Sequence, residues 1–456
     1  MKTRFWFRLH SFTGIITGLL LFIICWSGTF AVLSNELDWL VTPEARVPST
    51  QIVDWSAIET SIKQAYPDGK TPTFYAPLYP GSAAQVRIKL PEEELRVYTH
   101  PVDGRILDAG TWFNLQRFFR DFHRSLYFPT GWGTLFVSAF AVTLGVSLVA
   151  ALAFYKRWWQ RFFHLRMSNW RVFWSEFHKT AGLWSLWFIG IMVVTGGFYG
   201  FEVLRGTVGD GLFSYTGFRD SSARRLLPPE PRSGLPDLPL QRILEIVQQA
   251  RPDLEIRIIA LRQTPNGGRF FDVRGQAGHL LVRNRANQLL IDSKTGDVLY
   301  NQRATDLPLY WRWTDTVDPL HFGNFGGFAS KVIWFAFGLV LSGLILTGTW
   351  LHAHRLARDN GGRDRWPGTA AALVASLGVL GASGVAAVYT IRDTYGPAID
   401  GAKQFPDPAT GVVVVIALWV LLTLALIAAW TILLWHPHRV LGVKPTSASP
   451  QALHQE

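Results

Sequence analysis

Residues 9–33 read LHSFTGIITGLLLFIICWSGTFAVL, and residues 177–201 read FHKTAGLWSLWFIGIMVVTGGFYGF. Each stretch opens near a histidine, His10 or His178, and then, past Lys179 in the second, runs uncharged and mainly apolar for long enough to cross a bilayer as a helix. The two align without a gap. Gly14 and Gly182 follow their histidines at one common offset, and Ser27-Gly28 and Thr195-Gly196 recur at another. A second pattern repeats as well: His123 precedes Gly145 by the interval that separates His321 from Gly343, with Arg157 and Arg355 beyond.

Further apolar runs bring the crossings to six, near Phe12–Leu33, Leu135–Phe154, Gly182–Phe201, Val332–Leu351, Thr369–Ile391 and Val412–Trp435. The expected fold class is therefore membrane α-helical, with the first four crossings forming two parallel two-helix repeats. Between the paired crossings lie long polar segments. Each holds a helix-like stretch (Trp55–Ala65, Leu240–Ala250), then strand-like runs around a turn, His100-Pro101-Val102-Asp103-Gly104 or Asp292-Ser293-Lys294-Thr295-Gly296-Asp297. Two small α+β modules are expected there, with Leu227–Pro239 as a Pro-rich linker. The order along the chain is a first crossing (1–34), first module (35–130), second crossing (131–155), basic connection (156–179), third crossing (180–203), second module (204–328) and fourth crossing (329–353). A connection (354–368), fifth crossing (369–391), short connection (392–410), sixth crossing (411–435) and tail (436–456) complete it.

Basic residues crowd one side. Arg4 and Arg8 precede the first crossing, Lys156, Arg157, Arg161, Arg166 and Arg171 join the second to the third, and Arg355, Arg358, Arg363 and Arg365 follow the fourth. The positive-inside rule puts that side, and both termini, in the cytoplasm and the modules in the periplasm. The formal net charge of +11 then faces anionic lipid headgroups, so nucleic acid is not needed to explain it. No small-x-small site follows the first apolar run, which reads as an uncleaved helix. Cys25 is the only cysteine. That excludes an internal disulfide, a cysteine-ligated cluster and a covalently attached c-type haem.

Parallel repeats are related by an axis along the membrane normal. Such an axis brings His10 and His178 together near the cytoplasmic surface, and His123 and His321 together near the periplasmic one. Two histidine pairs, one per leaflet, are what two bis-imidazole b haems require. Gly14 and Gly182 clear space on the helix faces beside the inner pair, and Arg117, Arg120 and Arg124 around His123 are candidate partners for propionates. His352 is a reserve ligand should His10 fail. No nicotinamide, flavin or nucleotide motif occurs, so electrons must enter from a quinol or a cytoplasmic-side protein. A haem-b carrier serving a periplasmic protein acceptor, and a haem-free scaffold or regulator, are the competing classes.

The motifs Leu9-His10-x3-Gly14, Phe122-His123-Arg124-Ser125-Leu126, His178-x3-Gly182-Leu183-Trp184 and Leu320-His321-Phe322-Gly323-Asn324-Phe325-Gly326-Gly327 resemble those of the PepSY-associated transmembrane family. The resemblance runs from the N-terminus to about Arg355, and it departs where His10-Ser11 and His178-Lys179 stand in place of the family's frequent His-Arg. It implies an inner-membrane reductase with two haem b groups, ligated by His10, His123, His178 and His321. Such a protein takes electrons on the cytoplasmic side and reduces ferric iron held in a periplasmic siderophore chelate. On that reading Trp112, Trp311 and Trp313 would pack on the chelate or shield the outer haem.

Overall fold

The computed structural model describes residues 2–50, 52–163, 169–208, 236–278, 281–358 and 366–442. The expected linker at 227–235, together with His164, His279 and His454, lies outside the described residues. The chain opens with α1 (Lys2–Ile16), α2 (Gly18–Val32) and α3 (Ser34–Val41), then α4 (Trp55–Ala65) and strands β1 (Lys70–Tyr75), β2 (Ala84–Lys89), β3 (Glu94–Thr99) and β4 (Ile106–Thr111). Helices α5 (Leu115–Ser125) and α6 (Thr130–Phe154) close this half. The same order follows again. It comprises α7 (Trp170–Trp184), α8 (Leu186–Val208), α9 (Leu240–Ala250), β5 (Glu255–Gln263), β6 (Arg269–Gln276), β7 (Asn287–Asp292), β8 (Val298–Gln302), α10 (Leu309–Phe322) and α11 (Gly327–Arg358). Helices α12 (Thr369–Tyr395) and α13 (Thr410–Trp435) are additions outside that order.

Five helices, α6, α8, α11, α12 and α13, are long and apolar enough to span a membrane on their own. The first expected crossing is not one straight helix: α1 and α2 meet at a 69° bend and make a sixth span only as a pair. The cause is local. Thr13 and Thr17 turn their hydroxyls back onto the carbonyls of Leu9 and Thr13, which weakens a helix at that level. At Gly18, any Cβ would lie 3.1 Å from the Trp430 indole of α13.

The modules expected to be separate are one sheet. All eight strands pair antiparallel in the order β4-β3-β2-β1-β5-β6-β7-β8. The halves join where Thr73, Phe74 and Tyr75 face Ala260, Ile259 and Ile258. A four-stranded half alone would leave β1 or β5 as an unpaired edge, and pairing them satisfies both rows of backbone groups. It also fuses the cores. Helices α4 and α9 lie on one face, and Ile58, Ile62, Ile243 and Val247 pack with Phe74, Val86, Val97, Ile259, Val273 and Leu289 in a single cluster. The two hairpin turns form as their glycines require, Gly104 at φ +70° and Gly296 at φ +79°.

Helices α12 and α13 clamp the first half. Ser383 Oγ donates to the Leu126 carbonyl at 2.9 Å, where α5 ends in a left-handed turn. Trp419 packs on Phe118, Phe119 and Phe122 of α5. Trp26 of α2 donates to Thr423 Oγ1 at 3.0 Å.

Ile259 is fully buried at the join of the half-sheets, so Ile259→Ala should cost about 2–4 kcal/mol. Thermal unfolding of the purified protein in detergent would show it as a lower midpoint; an unchanged midpoint would mean that the halves do not share a core.

Candidate functional site: two histidine pairs between the halves

The far pair sits at the helix ends remote from the sheet. His10 on α1 and His178 on α7 stand with ring centroids 6.4 Å apart and planes at 70°. Helix α7 gives way to α8 at Ser185 as α1 gives way to α2 at Thr17, and each break falls at the same offset past its histidine. Each histidine is held by the second long helix of its own half. His10 Nδ1 lies 3.0 Å from the Ser147 carbonyl and 2.9 Å from its Oγ on α6, and His178 Nδ1 lies 3.0 Å from Thr347 Oγ1 on α11.

The near pair lies below the sheet. His123 on α5 and His321 on α10 are 6.0 Å apart between centroids, with planes at 29°. His123 Nδ1 meets the Ile24 carbonyl of α2 at 2.9 Å, with Ser27 Oγ at 3.4 Å, and His321 Nδ1 meets Thr195 Oγ1 of α8 at 2.8 Å. The small pairs noticed in the sequence thus have a use: Ser27 and Thr195 face the two imidazoles, and a Cβ on Gly28 would lie 2.6 Å from His123 Cε1.

These contacts fix the tautomers. A carbonyl only accepts, so His10 and His123 donate from Nδ1–H. Thr347 and Thr195 spend their own hydroxyl protons on the carbonyls of Gly343 and Ile191, so their oxygens accept from His178 and His321. With Nδ1 of each ring held by a carbonyl or hydroxyl partner, Nε2 is the nitrogen left to bind a metal, as it does in neutral imidazole. The ring spacings agree with about 6 Å for two imidazoles on opposite sides of one iron. Among the described residues no three His, Cys, Asp or Glu side chains converge. Two nitrogens per site, with no third protein ligand, suit an iron whose remaining donors come from a macrocycle. A methyl added to Gly14 or Gly182 would meet no atom within 4 Å, so those faces border room for a flat group. Haem fits this donor set. Thr29 packs on Gly338 of α11, and His178 packs on Thr347 and Gly348 of the same helix.

Helix α5 is positioned by a buried carboxylate. Asp38 of α3 accepts from the Leu115 and Gln116 amides and from Asn114 Nδ2, at 2.7–2.9 Å. Burial pushes its carboxyl up to about 6, against the opposing pull of Arg96 and the amide donors. On the other side Tyr199 stands edge-on to His321, 5.3 Å between centroids, and donates to Asp318 at 2.7 Å, which Arg283 holds from behind at 2.5 Å.

The remaining candidates are placed as follows. Arg120 lies 3.6 Å from Asp121, and Arg124 makes no ion pair or side-chain hydrogen bond among the described residues. Arg355, which the sequence marks only as a repeat position and a basic flank, lies at the far pair: it donates to Ser11, the neighbour of His10, at 3.2 Å. His352 is buried beside Arg355 and is not a member of either ring pair. Trp112 is buried under Arg87, Arg96 and Arg117, each within 5 Å of its ring, so it is not open to pack on a chelate. Trp313 packs on Phe198, and Trp311 lies beneath Arg205. His100 pairs with Asp103 in its turn, and His354 packs on Trp350.

Paired imidazoles between spanning helices, beneath a sheet built from both halves, define a multi-pass membrane protein with two candidate metal-binding levels. The family profile described as the PepSY-associated TM region matches residues 7–355, and the chain belongs to that family. Comparison with curated proteins returns no match. The matched region ends within α11, so α12 and α13 lie outside it.

The raised pKa of Asp38 means that the folded state binds this proton more tightly than the unfolded chain, whose carboxyl titrates near ~4. Stability should therefore fall as pH rises from about 4 to 6. Thermal midpoints across that range should decline for the wild type and stay flatter for Asp38→Asn; two superimposable profiles would dismiss the assignment.

Proposed function

We propose that the chain is a di-haem b electron carrier of the bacterial inner membrane that reduces ferric iron held by a periplasmic chelate. The observation that carries this reading is the pairing of the four imidazoles at 6.4 and 6.0 Å, each with its Nδ1 held by a carbonyl or hydroxyl partner. On this reading His10 and His178 hold one haem, and His123 and His321 hold the other. Iron held by two imidazoles exchanges a single electron without changing its ligands.

The protein's own part is to hold, orient and exclude water. The backbone and hydroxyl partners at Nδ1 fix each ring's rotation and raise its basicity. Phe118, Phe119, Phe122 and Trp419 form an apolar wall beside α5, which lowers the local dielectric. Arg355 beside His10 and Arg120 and Arg124 on the helix of His123 would be the cations to pair with propionates. The matching element order of the halves supports two parallel repeats about a common axis. The basic connections on the side away from the sheet support a cytoplasmic far pair and a periplasmic sheet.

Ferric iron is proposed as the substrate because the chain resembles the inner-membrane ferric-siderophore reductases among PepSY-associated proteins. Hard oxygen chelators hold ferrous iron far less tightly than ferric, so one electron releases the metal and no general acid or base is needed. The electron comes from a quinol or a protein on the cytoplasmic side.

Purified wild type should show a reduced-minus-oxidised b-type spectrum and, by pyridine haemochrome, about two haems per chain. His123→Ala and His178→Ala should each lose one. A colourless protein after expression with ample haem would leave a scaffold or regulatory role instead. Two haems without reduction of any ferric chelate would favour a periplasmic protein acceptor.

A further inference from the structure

Side chains alternate across a strand, so the sheet face opposite α4 and α9 carries Thr71, Thr73, Arg87, Lys89, Glu94 and Arg262. Against it lies the connection between α12 and α13. The Ala398 amide donates to the Glu92 carbonyl at 2.8 Å, and Lys403 Nζ donates to Gly396 O at 2.8 Å. At Gly396 a Cβ would overlap the Gln404 carbonyl, so this segment is folded tightly on itself. Between roof and sheet is a cavity of about 420 Å³, the size of a small-molecule site.

Its back wall leads to the near histidine pair. Tyr395 lines the cavity and donates its hydroxyl to Asp121 of α5, two residues from His123. Arg87 lies 4.9 Å over the Trp112 ring, and Arg117 of α5 lies 4.7 Å over the same ring. One layer of side chains thus separates the cavity from the helix that carries His123. The fused sheet closes the alternative: with β1 hydrogen-bonded to β5, no cleft remains between the two halves of the sheet to take a ligand.

Charge selects the occupant. Glu94 holds Arg87 bidentately and Asp272 lies 3.6 Å from Arg262, which leaves Lys89 and Lys403 as the lining cations without a carboxylate partner among the described residues, with Glu92 and Glu93 at the rim. Behind the wall stand Arg96, Arg117 and Arg120. Burial first, and then repulsion from Arg120, pushes the Arg117 guanidinium down to about 10, as expected where cations are crowded. A compact anion with several carboxylate arms meets Lys89 from β2 and Lys403 from the roof here.

We propose that this cavity, roofed by the connection between α12 and α13, is the docking site for a compact polycarboxylate chelate of a trivalent metal. Delivery of an electron to that chelate rests on the di-haem reading; docking does not. Gallium(III) citrate is a probe that binds without being reduced. Titrated calorimetrically into the purified full chain, it should bind wild type. It should bind the doubly substituted Lys89→Glu, Lys403→Glu chain roughly tenfold or more weakly. Thr394→Trp, which narrows the cavity without changing charge, should weaken it as well, and haem content should stay the same in all three. No binding to wild type, equal binding by wild type and both variants, or preferential binding of an uncharged gallium trihydroxamate would each overturn the proposal. A chain that binds gallium citrate but shows no haem spectrum keeps the docking site and loses the electron carrier. A haem-loaded chain whose variants still bind like wild type does the reverse.

Discussion

An imidazole between apolar helices must place its N–H on an acceptor, because water is not there to take it and an unmade hydrogen bond inside a bundle is costly. Four such rings impose four pairings, and the packing of the spanning helices follows them. His10 and His178 bind the second long helix of their own half, whereas His123 and His321 bind the first long helix. Each half is thereby laced to itself at both levels, while the halves meet through the ring pairs, through Thr29 against Gly338 and Ser138 against Gly200, and through the β1–β5 ladder. The breaks at Thr17 and Ser185 belong to the same constraint.

The near level depends on a second buried polar group. Helix α5 begins on the Asp38 carboxylate and ends in the left-handed turn at Leu126 and Tyr127, where Ser383 and Thr390 of α12 take hold of the carbonyls. Its equivalent, α10, is held by ion pairs instead: Asp315 and Asp318 against Arg283 and Arg285. Counted back from the histidines, Asp315 and Asp318 occupy the positions of Arg117 and Arg120. The two halves place their rings alike but surround them with opposite charge, so one side of the near level is cationic and the other is neutralised.

Much of this was legible in the sequence because it is periodic. The helix content of the spans, the helices at Trp55–Ala65 and Leu240–Ala250 and the two glycine turns are set by local pattern. The matching offsets of His10 with His178 and of His123 with His321 foretold which rings meet. What could not be read is long-range or backbone-specific. The β1–β5 pairing joins segments far apart in the chain with no shared signature beyond β-forming residues. The bend at Thr17 comes from threonine back-bonding and from Trp430, a neighbour distant in sequence. The hydroxyl partners of the imidazoles look like ordinary small residues in a membrane helix, and only the packed structure gives Thr195, Thr347 and Ser147 their acceptors and donors.

The fused sheet also imposes an order of assembly. During synthesis the first half emerges with β1 bare along its inner edge, and its partner lies beyond two further spanning helices. Until β5 has been made and brought to the same side of the membrane, four strands wait with an open row of amide and carbonyl groups, the condition in which sheets pair with the wrong chain. Closure is thus a late, non-local event that depends on α7 and α8 having been inserted correctly, so the sheet doubles as a check on membrane topology. A chain whose third crossing enters the wrong way round leaves β5 on the other side of the membrane, and the edge is never covered.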